Sequence, residues 1–232
     1  MNYLKTVLIT IILVCGCGNT STDKTPSDND CTNYSIVGEV KICIPEIEDM
    51  VTIHTNPDFQ QIVTNLEMGN RTVLLASLDK SIYDKYLSGI QSYMSPMYYL
   101  YTYTATNNIE ATIGDVKNLC DTYDSQLHYD SDAWEAAKEK MKPFTDDIEI
   151  GTPIVADKYN TNIYCTTYIT VMKNINSQYG EYIVVNVASF LVLKERLLLS
   201  SFEVLYEDYN SIENAKESNT KIIENLFKLN AL

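Results

Sequence analysis

The chain has 232 residues, and its 31 acidic residues outnumber its 17 basic ones, which gives a formal charge of −14 at pH 7. This negative charge repels phosphates, so it excludes nucleic acids and anionic lipid surfaces as partners. The length and the hydrophobic share of 45% suit a chain with one core of ordinary size.

The first residues along the chain are typical of a secretory signal. Lys5 supplies one positive charge, and an uncharged, mostly apolar stretch of about 11 residues follows over residues 7–17. A helix needs roughly 20 such residues to cross a bilayer. We therefore expect residues 1–16 to be a signal peptide that is removed, and not a permanent transmembrane anchor.

The apolar stretch ends in Val14-Cys15-Gly16-Cys17, which resembles the lipobox of bacterial lipoproteins. In that family an aliphatic residue at −3 and a small residue at −1 precede the cysteine that receives the lipid. The resemblance implies cleavage before Cys17, lipidation of Cys17 and attachment to a membrane of the cell envelope. Cys15 is the alternative acceptor, but it would place the β-branched Val14 at −1, where the peptidase requires a small side chain.

The segment after Cys17 predicts a flexible tether. Residues 18–30 contain no large apolar side chain, so they bury nothing that would offset the entropy lost on ordering them. We expect residues 17–30 to tether one folded domain over residues 31–232. Gly18 replaces the aspartate that retains enterobacterial lipoproteins in the inner membrane, so the resemblance favours the outer membrane. Loss of Lys5 with the signal leaves the mature chain with a charge of −15.

The spacing of apolar residues predicts the helices and strands of the domain. Short strands are expected at residues 40–44, 51–54, 73–78 and 97–104. Helices are expected at residues 58–68, 81–87, 112–127 and 132–142. The chain then predicts three long strands and a closing amphipathic helix, at residues 154–172, 182–193, 197–206 and 211–229.

This order of elements predicts an α+β fold, in which helices pack on an antiparallel sheet with a long C-terminal meander. It resembles the PsbP-like fold, which includes the photosystem extrinsic subunit and bacterial lipoproteins of the DcrB family. The resemblance covers most of residues 40–230 and includes Lys41-Ile42-Cys43-Ile44-Pro45 as an opening strand. That family has no shared catalytic apparatus, so the resemblance implies a binding or assembly role.

Four cysteines lie in the domain, and an exported chain can join them as disulfides. Cys43 is close enough in sequence to reach Cys31. Cys165 falls on an apolar strand face and Cys120 on the apolar stripe of a helix, so these two can meet in the core. The preferred pairing is Cys31–Cys43 and Cys120–Cys165, with buried free thiols as the main alternative.

Motifs that carry catalytic or metal chemistry do not appear in the sequence. It has no GxSxG, P-loop, HExxH or GxGxxG pattern. No CxxC occurs, and His54 and His128 are not at ligand spacing from any cysteine, so neither a metal nor another cofactor is predicted. The acidic residues between 121 and 149 are interpreted as a solvated helix end and loop. The alternative is a hydrolase that attacks an envelope polymer with carboxylates of this 121–149 region.

Tyr99, Tyr101 and Tyr103 alternate along one predicted strand and therefore share a face. If this face is exposed, the rings form a platform for a sugar or a peptide; if it faces the helices, it is core, which is the favoured interpretation. The sequence as a whole predicts a non-catalytic envelope lipoprotein, anchored to a membrane through lipid, with an envelope protein or a glycan as its partner.

Overall fold

An antiparallel sheet of eight strands forms the centre of the computed structural model, which describes residues 31–67, 69–90, 92–127, 148–176 and 180–230. A separate hairpin of two strands precedes this sheet. In chain order the strands are β1 (Tyr34–Val37), β2 (Val40–Cys43), β3 (Met50–Thr52), β4 (Arg71–Asp79), β5 (Met97–Tyr103), β6 (Ile148–Ile150), β7 (Ile154–Asn162), β8 (Cys165–Asn176), β9 (Gly180–Leu193) and β10 (Arg196–Leu205).

The sheet brings distant parts of the chain side by side in the order β3-β4-β5-β10-β9-β8. Strands β6 and β7 both pair with β8 and complete that edge. Strand β10 therefore pairs with β5 on one side and with β9 on the other. This order places residues of β5 next to residues of β10, which follow them by about a hundred positions.

Helices cover both faces of the sheet. Besides two short 3-10 helices, Pro57–Phe59 and Thr104–Thr106, the described helices are α1 (Gln60–Leu66), α2 (Lys80–Leu87), α3 (Ile113–Leu127) and α4 (Tyr209–Leu229). The β1–β2 hairpin and α4 pack on one face, and α1, α2 and α3 pack on the other. The α+β class predicted from the sequence is confirmed. The PsbP-like arrangement is a more specific claim than the α+β class, and it stays a prediction. The helix predicted at 132–142 lies outside the described residues.

Helix α4 follows its predicted pattern closely. Its periodic apolar side chains are buried against the sheet, namely Ala215, Ile222, Ile223, Leu226 and Phe227. The helix begins with a capping box, in which the Asp208 side chain accepts from the N–H groups of Asn210 and Ser211. The sequence placed the cap at Asn210 or Ser211. Asp208 is the N-cap instead, and the Ser211 hydroxyl oxygen accepts a hydrogen bond from the Asp208 N–H.

The strand predicted over residues 154–172 is wrong as a single element, since the chain turns in its middle. Strand β7 ends at Asn162 and β8 begins at Cys165. The side chain of Asn162 accepts a 2.8 Å hydrogen bond from the Tyr164 N–H, which is the local turn that an asparagine favours. Ile163 lies at the turn with 71% of its surface exposed. The C-terminal meander therefore has four strands, not three.

Asn230, directly after α4, joins the end of the chain to the first hairpin. Its buried side chain accepts a 2.9 Å hydrogen bond from the Cys43 N–H and donates at 2.9 Å to the Cys43 carbonyl. It also donates to the Leu226 carbonyl at 2.8 Å. One side chain thus connects β2 to the C-terminal turn of α4.

Candidate functional site

The tyrosine row predicted on β5 faces the helices and not the solvent. Tyr99 and Tyr101 are each only 9% exposed and belong to the core under α2 and α3. Their ring centroids are 5.7 Å apart in a stacked arrangement, and the Tyr103 ring meets Tyr101 edge-on at 6.0 Å. The sequence leaves two orientations of this face open, and the structure has the covered one. The alternative of an exposed platform is therefore wrong.

Arg71, opposite Tyr103 in the sheet, places a cation among these rings. Its guanidinium carbon lies 4.8 Å from the centre of the Tyr101 ring, within the range of a cation–π interaction. Burial lowers the pKa of Arg71, but its interactions with Tyr101, Tyr99 and Tyr103 outweigh burial and raise that pKa above its usual value. The side chain is partly buried, and in the described ranges it makes no ion pair with a carboxylate.

Glu203 on β10 places a carboxyl on the same face of the sheet. The amide of Asn186, opposite it on β9, donates to Glu203 Oε1 at 3.2 Å and to Ser201 Oγ at 2.8 Å. Burial raises the pKa of Glu203, while the hydrogen bond from Asn186 and the positive charge of Arg71 oppose that rise. The carboxyl therefore lies within electrostatic range of Arg71, although the two do not touch as an ion pair.

The described residues cover the middle of this sheet face only in part. Asn186, Ala188 and Glu203 lie on the two central strands, β9 and β10, yet each remains partly exposed. Farther along β9, α3 does cover the sheet, and its Tyr123 ring lies 5.2 Å from the ring of Phe190. This partly exposed area contains Arg71, Asn186, Ala188 and Glu203, and the buried side chains of Ser201, Tyr99 and Tyr101 lie beside it. We call this area the tyrosine recess.

Two further tyrosines, Tyr93 and Tyr182, lie near the Glu203 end of the recess. Tyr182, at the start of β9, lies on the same face as Asn186, and its ring is 4.6 Å from that of Tyr93. Tyr93 interacts electrostatically with Glu203, and burial raises the pKa of its phenol. Burial also raises the pKa values of Tyr99 and Tyr101. These phenols are therefore neutral hydrogen-bonding groups at physiological pH.

Sequence reasoning did not single out Arg71, Asn186, Ser201 or Glu203. One local signal was available, because Glu203 is the only charged residue between Leu197 and Leu205 in this mostly apolar strand. A carboxyl in such a strand has an unfavourable free energy of burial unless it is hydrogen-bonded. Its proximity to Arg71 depends on the pairing of β4, β5 and β10 and leaves no local pattern.

Of the two predicted disulfides, the structure contains one and lacks the other. Cys31 and Cys43 form a disulfide with a Cα–Cα distance of 5.8 Å. Cys120 and Cys165 are buried free thiols. Cys165 lies on the sheet face that carries α4, whereas Cys120 belongs to α3 on the opposite face. The predicted Cys120–Cys165 disulfide is therefore wrong, because the sheet itself separates the two sulfur atoms.

The acidic region is described only in its first part. Asp121 pairs with Lys117 at 2.6 Å, and Asp124 pairs with Lys158 at 2.6 Å. The aspartates are 59% and 38% exposed, as expected for a solvated helix end. The other carboxylates of the predicted hydrolase set, between residues 128 and 149, lie outside the side chains that the structure describes.

No family model, curated protein or solved structure matches this chain. In the described ranges no three His, Cys, Asp or Glu side chains lie together as metal ligands would. None of the described helices is long and apolar enough to span a membrane. The tyrosine recess, with its cation, carboxyl, amide and phenols, is the arrangement in the described part of the chain that is best suited to binding.

Proposed function

We propose that this chain is a bacterial envelope lipoprotein with a non-catalytic binding role. The observation that supports this proposal most directly is the pattern Val14-Cys15-Gly16-Cys17 at the end of a short apolar stretch. Cleavage before Cys17 exposes the cysteine that accepts the lipid, and residues 18–30 tether the domain that begins at Cys31. Acyl chains contribute about 0.8 kcal/mol for each buried methylene, so several chains hold the protein on a membrane permanently.

The Cys31–Cys43 disulfide supports export of the domain. Disulfides persist in oxidising compartments such as the bacterial envelope and are rare in the cytosol. This one lies at the first described residue of the domain, directly after the proposed tether. The binding role is supported by the tyrosine recess, in which the polar side chains of Asn186, Ser201 and Glu203 converge on one sheet face.

Palmitate labelling in a bacterial host tests the anchor. The wild-type chain and a Cys15→Ala variant are expected to incorporate label, whereas Cys17→Ala is expected to lose it and to accumulate as the uncleaved precursor. The Cys15→Ala variant is the matched control, since it removes the neighbouring thiol and keeps Gly16 at the cleavage site. Label that persists in Cys17→Ala would contradict the assignment.

Fractionation and capture test the location and the binding role. Density-gradient separation of the membranes is expected to place the labelled wild-type protein in the outer-membrane fraction. Chemical crosslinking in intact cells, followed by purification in detergent, is expected to recover a reproducible envelope component. Absence of any such component, together with a melting temperature that no envelope extract changes, would contradict a binding role.

A further inference from the structure

The outer side of the β1–β2 hairpin carries large apolar side chains that are exposed to solvent. Val37 and Ile42 point into the core and are fully buried. Tyr34 and Ile36 alternate with the inward side chains and are 51% and 53% exposed. Lys41 lies opposite Ile36 across the hairpin. We call the outer surface formed by Tyr34, Ile36 and Lys41 the hairpin face.

Two further cations lie beside the hairpin face, because the turn between β9 and β10 contacts the hairpin. Lys194 Nζ donates to the Lys41 carbonyl at 3.0 Å, and Arg196 Nε donates to the Val37 carbonyl at 3.4 Å. Lys41 Nζ lies 4.6 Å from the centre of the Tyr34 ring. Burial lowers the pKa of Lys194, and the positive charge of Lys41 lowers it further. In the described ranges none of these three cations forms an ion pair with a carboxylate.

The formal charges at this end of the domain cancel. Glu39 and Glu195 are exposed in the two turns. Glu110 is exposed in the loop before α3, where the Ala111 N–H donates to the Glu195 carbonyl at 2.9 Å. Three carboxylates thus accompany three cations, whereas the whole chain carries a charge of −14. The excess negative charge lies elsewhere in the chain, so a phosphate-bearing surface can approach this end without net repulsion from it.

The hairpin follows the proposed lipid anchor closely in sequence. Cys31 comes 14 positions after Cys17, so even a fully extended chain between them spans at most roughly 50 Å. Cys31 is joined to β2 by its disulfide with Cys43, and Tyr34 is three positions farther along the chain. Lipidation of Cys17 therefore keeps the hairpin face within reach of the membrane surface.

We propose that the hairpin face docks on the phospholipid surface that holds the lipid of Cys17, an inference that rests on the proposed anchor. Tyrosine suits a membrane interface because its ring is apolar and its hydroxyl is polar. Ile36 is buried at the boundary between headgroups and acyl chains. Lys41 and Lys194 donate to lipid phosphates without first giving up an ion pair. The surface is zwitterionic, since the charge of the whole chain disfavours an anionic one.

Quenching of a fluorescent label by brominated lipid tests this orientation. The mature lipoprotein is placed in phosphatidylcholine vesicles with brominated acyl chains and carries an apolar label on the cysteine of Ile36→Cys or, as the matched control, of Tyr209→Cys. Tyr209 is 66% exposed. It begins α4, whose 21 residues place it about 30 Å from the end that Asn230 joins to the hairpin. We expect at least twofold stronger quenching at position 36 than at position 209, and none by unbrominated lipid.

A charge reversal within the hairpin face supplies the second measurement. Lys41→Glu, combined with the label at position 36, is expected to reduce quenching to the level seen at position 209, because the new carboxylate is repelled by lipid phosphates. Lys221→Glu is the matched control, since it makes the same change of charge at an exposed position of α4. It is expected to leave quenching unchanged. Circular dichroism checks that both variants are folded.

Three results would overturn the docking proposal. The first is equal quenching at positions 36 and 209, which is expected if the hairpin face binds a protein or a second copy instead. The second is stronger quenching at position 209. The third is an effect of Lys41→Glu no larger than that of Lys221→Glu. A palmitate-labelled protein with equal quenching would refute docking and leave the anchor standing, whereas loss of labelling would refute both.

Discussion

A few buried polar side chains form hydrogen bonds between segments that are far apart in sequence. Asn219 of α4 is fully buried and donates to Ser189 Oγ on β9 at 3.0 Å, and Ser189 in turn bonds to Thr167 on β8 at 2.9 Å. On the opposite sheet face the Tyr168 hydroxyl donates to the Cys120 carbonyl of α3 at 3.2 Å. Because an unsatisfied buried group costs about 1–3 kcal/mol, these bonds specify how each helix sits on the sheet.

Replacing Asn230 with alanine is expected to destabilise the domain by about 3 kcal/mol, because three buried hydrogen bonds to backbone groups of Cys43 and Leu226 are lost together. Urea unfolding followed by circular dichroism measures the loss. Asn214→Ala is the control, since Asn214 is exposed on α4, and its effect is expected to stay within about 0.5 kcal/mol. Equal effects of the two substitutions would contradict the role of Asn230.

Glu203 is expected to make stability fall as the pH rises. Burial raises its pKa in the folded state, so folding favours the protonated carboxyl, and this contribution is lost as the pH rises through the folded-state pKa. Glu203→Gln keeps the shape and removes the titration. The variant should match the wild type near pH 4 and melt at a higher temperature near pH 8.

The matched control for this pH dependence is Glu224→Gln, an exposed position on α4. Thermal melts of the three proteins across the pH range decide the outcome. A wild-type advantage over Glu203→Gln at pH 8 would show that the ionised carboxyl stabilises the fold, which contradicts the expected sign.

At the scale of elements, the β1–β2 hairpin depends on connections outside itself. Its two short strands pair only with each other in the described sheet order, and an isolated hairpin is at best marginally stable. The disulfide ties β2 to Cys31, Asn230 ties it to α4, and Ser35 Oγ donates to the Leu74 carbonyl of β4 at 2.9 Å. The hairpin thereby closes the α4 side of the core.

Removing the disulfide with the double substitution Cys31→Ala and Cys43→Ala is expected to cost about 3 kcal/mol, the entropy of closing a loop whose ends are 12 residues apart. Denaturant unfolding measures the cost. Dithiothreitol should destabilise the wild type to a similar extent and leave the variant unchanged. A wild-type protein that does not respond to the reductant would contradict a stabilising role for this bond.

At the scale of the whole molecule, the sheet divides the described core into two layers. The layer under α4 contains Cys165, and the layer under α1, α2 and α3 contains Cys120 and the tyrosine row. Burial raises the pKa of the Cys165 thiol to about 11. Both thiols are buried in the folded protein, and they lie in different layers of the core.

Thiol titration of the mature lipidated protein tests this division. Cys120 and Cys165 are 4% and 0% exposed, so we expect no rapid reaction with a thiol reagent in the native state. Unfolding without reductant should expose two thiols per chain. None would indicate the Cys120–Cys165 disulfide that the sequence predicted, and four would contradict the Cys31–Cys43 bond.

Elements with strong local periodicity were predictable from the sequence. Helices α3 and α4 and strands β9 and β10 lie within a few residues of their predicted bounds, because the burial of a helix stripe or a strand follows directly from residue spacing. The turn at Ile163 was missed because an apolar residue at a turn resembles the continuation of a strand. Strands β1 and β6 were not predicted from the sequence.

The sequence by itself determined the α+β class, the two long described helices and the local cysteine pair, and it is the source of the proposed lipid anchor at Cys17. These features depend on short-range spacing. Only the tertiary structure decided that the tyrosine row faces the helices, that Cys120 and Cys165 stay apart, and that Arg71 and Glu203 share one recess. The physical reason is strand pairing, which joins β4, β5, β10 and β9 across long stretches of chain and selects which face of each strand is covered.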